Sequence, residues 1–153
     1  HSSLFDERPL EVAFVDGLHT HAQAFADVEN CLELIGEGGV VLMHDCNPTT
    51  EAMAIPAESY EEASQLRSPG ENTDWTGDVW KAIVRLRSQR SDLSTCVLDC
   101  DYGIGVVVKH PQSERLDLGQ RTIEELTYQD LEANRERYLG LRPPAELWQA
   151  LEA

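Results

Sequence analysis

The sequence predicts an α/β domain built on a parallel strand pair, and three observations carry that prediction. Two short, continuous apolar runs, Val12–Val15 and Val40–Met43, have the character of strands buried on both faces of a parallel sheet. Between them Phe25, Val28, Leu32 and Ile35 step by three and four, the stripe of an amphipathic helix. Strand, helix and strand joined by short loops make a βαβ unit, whose crossover sets the two strands parallel.

Each element has its own local reason. The first strand stops at Asp16-Gly17. The helix is expected over His21–Ile35, with Thr20 placed to cap its start and Gly36 to end it. Gly38-Gly39 then turns the chain into the second strand, which stops at His44-Asp45. Residues 46–76 hold Pro48, Pro56, Pro69 and Gly70 and read as a long irregular loop, a length that compact domains usually keep for function. Val79, Ile83 and Leu86 share one face of a helix expected over Gly77–Arg90. Thr95–Cys100 and Ile104–Lys109 read as strands joined through Asp101-Tyr102-Gly103, a hairpin signal. Cys96 and Cys100 are expected there as small core hydrophobes. Past Ser113 no strand is evident. Ile123–Leu126, Gln129–Leu139 and Ala145–Leu151 read as short helices, broken at Gly140 and Pro143-Pro144. The organisation expected is an α/β part over residues 1–112 and a helical tail over 113–153.

Composition removes several functions. The 153 residues carry 28 acidic against 12 basic side chains, a net charge of −16. Such a surface repels phosphates, which argues against nucleic acid as a partner. No apolar run reaches the roughly 18 residues of a membrane span. No signal peptide opens the chain, so the expected compartment is the cytoplasm. The four cysteines form no C-x-x-C pair and give a zinc knuckle no support.

The chemistry converges on the strand ends. Asp16 follows the first strand and Asp45 the second, and parallel strands bring both carboxylates out on one edge of the sheet, where open α/β sheets bind ligands. Either acid alone would serve as a turn residue; both at successive strand ends suggest a site. Neighbouring carboxylates raise each other's pKa unless a cation neutralises them. A divalent ion held by Asp16 and Asp45 is the economical arrangement, Mg²⁺ or another divalent metal, with His44 as a nitrogen ligand. His19, three residues past Asp16, is the general-base candidate, able to take a proton from a hydroxyl near neutral pH. His21 is expected to be solvated, and Asp78, Asp99 and Asp101 to be turn, cap or surface residues. Trp75 and Trp80 flank the long loop and could wall a pocket, although core packing is commoner for tryptophan.

The runs Val12-Ala-Phe-Val-Asp-Gly-Leu-His19 and Gly38-Gly-Val-Val-Leu-Met-His-Asp45 together resemble the carboxyl-terminal half of a class I S-adenosylmethionine-dependent methyltransferase. The closer likeness is to the branch with "I-D-G-x-H" and "G-G-hhhh-H-D" strand ends. Gly77-Asp-Val-Trp-Lys-Ala82, the Asp101-Tyr-Gly-Ile-Gly105 hairpin and the tail Leu126-Thr-Tyr-Gln-Asp-Leu-Glu-Ala-Asn-Arg135 are similar to that branch too. The resemblance implies a Rossmann-like sheet completed by an antiparallel hairpin and S-adenosylmethionine as cofactor. It also implies methyl transfer to a small-molecule hydroxyl, with acids at Asp16 and Asp45 on a divalent ion and His19 deprotonating the acceptor. His44 departs from the acid or neutral residue frequent in metal-dependent relatives. The glycine-rich turn and the second-strand acid that hold the cofactor do not precede Leu10, and only four strands are evident where about seven are expected. The segment is therefore expected to be half of a catalytic domain, a weak binder of the cofactor by itself, with an open sheet edge that favours homo-oligomers. Two other classes fit less of the sequence: a metal-dependent phosphohydrolase, on the His44-Asp45 dipeptide, and a non-catalytic or degenerate methyltransferase-like module.

Overall fold

A computed structural model of the chain describes residues 9–151. β1 (Leu10–Val15), α1 (His21–Leu34) and β2 (Ile35–Met43) form the expected βαβ unit, with β1 and β2 parallel. Two further helices follow, α2 (Tyr60–Leu66) and α3 (Trp80–Gln89), and then the hairpin of β3 (Ser94–Leu98) and β4 (Ile104–Val108). α4 (Tyr128–Leu139), β5 (Leu141–Arg142), a 3₁₀ turn (Pro144–Glu146) and α5 (Leu147–Leu151) complete the described chain. The sheet order is β1-β2-β4-β3-β5. β4 lies antiparallel between β2 and β3, and β5 runs parallel to β3. This is a mixed α/β sheet, completed by an antiparallel hairpin as expected. No helix among the described residues is long and apolar enough to cross a membrane.

The main core fills one face of the sheet. Val15, Val41, Met43, Val97 and Val107 point into it and meet Val28 and Leu32 of α1, Ile83 and Leu86 of α3, and Leu131 and Leu139 of α4. Trp80 lies wholly within this core, so only Trp75 is left for a pocket wall. The other face is covered over Val40, Cys96, Leu98, Val106 and Val108 by Ala150, Leu147 and Leu151 of the last helix. Over β1 it is left uncovered by the described residues: Val12 is 56% and Phe14 57% exposed. The expectation that the first strand is buried on both faces is thus corrected, because β1 is an edge strand with helices on one side only.

Other local expectations shift for local reasons. Thr20 occupies the cap position of α1, but its side chain makes no capping bond. The carboxylate of Asp78 takes that role, accepting from the His21 backbone N–H at 2.7 Å. It also accepts from His21 Nδ1 at 2.8 Å, so His21 is half-buried and tied down rather than solvated. α1 passes straight into β2, which leaves Gly36 inside the strand. The pairing with β1 jumps from Ile35 to Val40, and Gly38, at φ +76°, lets the intervening residues bend out. The loop 46–76 contains α2, started by Ser59, whose hydroxyl accepts from the Glu62 backbone N–H. Ser59-Tyr-Glu-Glu62 is a capping-box spacing that could have been read from the sequence. Ile123–Leu126 is a turn, not a helix. Cys96 is buried but Cys100 is exposed, because β3 ends at Leu98 and Cys100 already belongs to the turn.

α4 starts with a full capping box: Thr127 Oγ1 accepts from the Asp130 N–H, and the Asp130 carboxylate accepts from the Thr127 N–H. Thr127→Ala leaves a first-turn donor unsatisfied and is expected to cost about 1 kcal/mol. In a chain of this size that lowers the melting temperature by roughly 2–4 °C, readable by thermal circular dichroism.

Candidate functional site

β1 and β2 end in register, Val15 opposite Met43, and the His44 N–H extends the ladder by one bond to the Val15 carbonyl (3.0 Å). The residues that follow each strand therefore leave the same edge side by side. Asp45 turns at once: its φ of +63° lies in the left-handed region that short polar residues such as aspartate tolerate better than most. That turn folds its carboxylate back into the protein, where only 5% of the residue is exposed.

His19 meets both acids. Its Nε2 lies 3.1 Å from Asp45 Oδ2 and 3.7 Å from Asp16 Oδ1. Its Nδ1 is 2.9 Å from the Trp75 carbonyl, a contact that orients the ring and makes Nδ1 the donor. The Trp75 indole packs against the imidazole at 4.9 Å between ring centroids and donates its own N–H to the Ile55 carbonyl (2.8 Å). Gly77 holds this contact close, since any Cβ there would collide with the His19 carbonyl. One ligand atom from each of Asp16, His19 and Asp45 lies within 4.8 Å of the others. A histidine whose outer nitrogen donates to a backbone carbonyl is oriented as metal-binding histidines usually are.

His44 lies outside that trio. Its Nδ1 is 3.2 Å from Asp45 Oδ1 and 3.7 Å from Asp16 Oδ1, and its Nε2 is 3.3 Å from Asp101 Oδ2. Partial burial works to lower its pKa, but Asp45, Asp16 and Asp101 outweigh it and hold the imidazole above its ordinary value. Each of its two nitrogens thus faces a carboxylate. The Asp45 carboxyl is pushed above the usual carboxylate range, chiefly by burial; His44 and His19 pull the other way, and Asp16 adds to the rise. A buried carboxylate so placed gains from a nearby positive charge.

Asp16, His19, His44 and Asp45 are thus brought to one place, as expected from strand direction. The sequence reading missed Asp101 at this site: it was assigned to a turn, which it makes at φ +46°, but its carboxylate also faces His44. A hairpin loop reaching over the ends of neighbouring strands was the available signal. Asp99 accepts from Asn47 Nδ2 at 3.1 Å, and Tyr102 donates its hydroxyl to Asp74 at 2.7 Å, tying the hairpin to the long loop. Cys46 is buried beneath the site and desolvation pushes its thiol up, so it stays a neutral packing group. His110 is exposed and joins no cluster; His1 lies outside the described residues.

Residues 2–46 match the family model described as a methyltransferase domain, and all four clustered residues fall within that segment. No curated protein and no solved structure matches the chain. That match makes the N-terminal part of the chain similar to a methyltransferase domain, and the mixed α/β sheet is consistent with it.

Proposed function

We propose that this chain supplies the acceptor side of an O-methyltransferase site, in which a divalent cation held by Asp16, His19 and Asp45 activates a small-molecule hydroxyl. The observation that carries the reading is the convergence of the Asp16 and Asp45 carboxylates with His19 Nε2 within 4.8 Å, at the carboxyl ends of two parallel strands. Two oxygens and one imidazole nitrogen make a donor set suited to Mg²⁺ or Mn²⁺. Such an ion, when bound, lowers the pKa of a hydroxyl presented to it.

The residues divide the remaining work. Asp16 and Asp45 hold the charge in place. His19, with Nδ1 committed to Trp75, turns Nε2 toward the two carboxylates as the third donor to the cation, in place of its expected role as the base. Asp45, 3.1 Å from Nε2, keeps that ring aimed. His44, between Asp45, Asp16 and Asp101, bridges the acids and keeps them together. Trp75, against His19, forms an apolar wall for the acceptor.

S-adenosylmethionine is the methyl donor that methyltransferase families generally use. The described residues do not fit it: among them no glycine-rich turn joins a strand to the helix after it. Gly17, the glycine between β1 and α1, lies against the Asp27 carboxylate, where a Cβ would approach Oδ2 to 3.2 Å. What these residues offer is the cation and acceptor side. Calorimetric titration of the 153-residue chain with Mn²⁺ or Mg²⁺ tests the reading: saturable one-site binding is expected, and no heat beyond dilution would overturn it.

Self-association belongs to the same proposal. β1 is an edge strand with Val12 and Phe14 exposed, and it carries no lysine or proline to deter pairing. Size-exclusion chromatography is expected to give a species larger than the 17.1 kDa chain. Val12→Lys should shift it towards the monomer, and a clean wild-type monomer would count against pairing at this edge.

A further inference from the structure

The tail motif Leu126–Arg135 takes no part in the chemistry above, yet its last residue reaches the site's supporting loop. Arg135 Nη1 donates to the Asn47 side-chain carbonyl and to the Pro48 carbonyl (2.7 Å), and Nη2 donates to the Tyr128 hydroxyl (3.3 Å). Asn47 is buried, two residues past Asp45. Its backbone N–H donates to the Tyr102 carbonyl (2.6 Å), and its Nδ2 to Asp99 (3.1 Å). The Cys46 N–H donates to the Gly103 carbonyl at 3.0 Å. The stretch that follows the left-handed turn at Asp45 is therefore gripped by the hairpin on one side and by Arg135 on the other.

α4 is deformed at the point of delivery. Asn134, immediately before Arg135, leaves helical geometry at φ −133° and ψ 20°, and its side chain donates to the Asp130 carbonyl. Kinks in helices have local causes, and departures from regular backbone collect where a side chain must be aimed. The capping box fixes the start of α4, the kink re-aims the turn after it, and Arg135 arrives at Asn47 and Pro48.

We propose that Arg135 is a positioning residue for the Asp45 carboxylate, acting through Asn47 and Pro48. A guanidinium suits the task because its planar fork reaches two carbonyl oxygens and a hydroxyl at once; an ammonium on a flexible stem does not hold them in one geometry. Without it the 46–48 stretch keeps its hairpin bonds but loses the restraint on the Asn47 side chain, and the turn that folds Asp45 inward loosens. The inference rests on the cation reading of the site, since a misplaced Asp45 matters most where it must share a ligand with Asp16 and His19.

The test measures Mn²⁺ affinity of the intact chain by calorimetry or by electron paramagnetic resonance of the free ion. Supporting groups around metal ligands typically change affinity about 10–100-fold when removed, so Arg135→Ala is expected to weaken Mn²⁺ by about tenfold or more. Arg135→Lys should recover only part of that. The control is Arg137→Ala, on the same helix, whose guanidinium donates to the Asp117 carbonyl away from the site; it should leave Mn²⁺ affinity unchanged whatever it does to the melting temperature. Equal affinities for Arg135→Ala and wild type would overturn the proposal and leave the cation site standing. Equal losses in the Arg135 and Arg137 variants would overturn it as a mere effect of a weakened α4. A wild type that binds no Mn²⁺ would overturn the cation reading and this proposal with it.

Discussion

Asp45→Asn is expected to lower divalent-cation affinity by at least about 100-fold, which corresponds to roughly 2.8 kcal/mol at 1.4 kcal/mol per tenfold. The substitution is chosen for what it leaves alone. Asparagine has nearly the same shape and tolerates the left-handed conformation that Asp45 adopts at φ +63°, so the turn out of β2 is kept. What goes is one negative charge and one acceptor oxygen, facing His19 at 3.1 Å and His44 at 3.2 Å. Asp16 and His19 then remain as two donors where three converged. Asp45→Ala should lose the cation equally and also lose melting temperature, because alanine in that backbone region costs about 1–2 kcal/mol. The pair of variants separates charge from backbone. Identical Mg²⁺ heats for wild type and Asp45→Asn would remove the ion from the site.

The part of this site that was legible in advance is the part that strand direction dictates. Two apolar runs flanking a helical stripe make a parallel pair, and parallel strands deliver Asp16 and Asp45 to one edge whatever the loops do. His19 and His44 followed because each sits within three residues of an acid. Contacts between segments far apart in sequence were not legible. Trp75, which orients His19, lies 56 residues from it, and Asp101 lies 57 from His44. No period or spacing encodes either distance. The same limit explains Thr20: a threonine at a helix start reads as its own cap, and only the fold shows that Asp78, from the segment leading into α3, supplies the oxygen. The exposure of Val12 and Phe14 was hidden for a related reason. An apolar run says that a strand is fit to be covered on both faces, not that helices cover it.

Gly77→Ala should be the most damaging of the small substitutions, and the reason joins fold to site. Gly77 sits at φ +60°, and a Cβ built there would lie 1.8 Å from the His19 carbonyl oxygen and 2.9 Å from its carbon. The obstruction is backbone, so no rotamer change relieves it. The segment 75–78 and the loop 16–20 must move apart, and both links between them are strained: His19 Nδ1 to the Trp75 carbonyl, and Asp78 to the start of α1. The left-handed conformation costs about 1–2 kcal/mol for alanine, and overpacking against fixed atoms typically adds about 1–3 kcal/mol. Together these amount to roughly 2–5 kcal/mol, or a fall in melting temperature on the order of 10 °C. Gly119→Ala supplies the comparison: Gly119 has φ +64° but nothing within 4 Å of its absent Cβ, so only the conformational part applies. Thermal circular dichroism of the two variants therefore isolates the contact. Gly77→Ala should melt well below Gly119→Ala, and Mn²⁺ affinity should fall in the first variant alone, because only there is His19 displaced. If the two melt together, the close packing of Gly77 on His19 is wrong, and with it the account of how His19 is held toward the carboxylates.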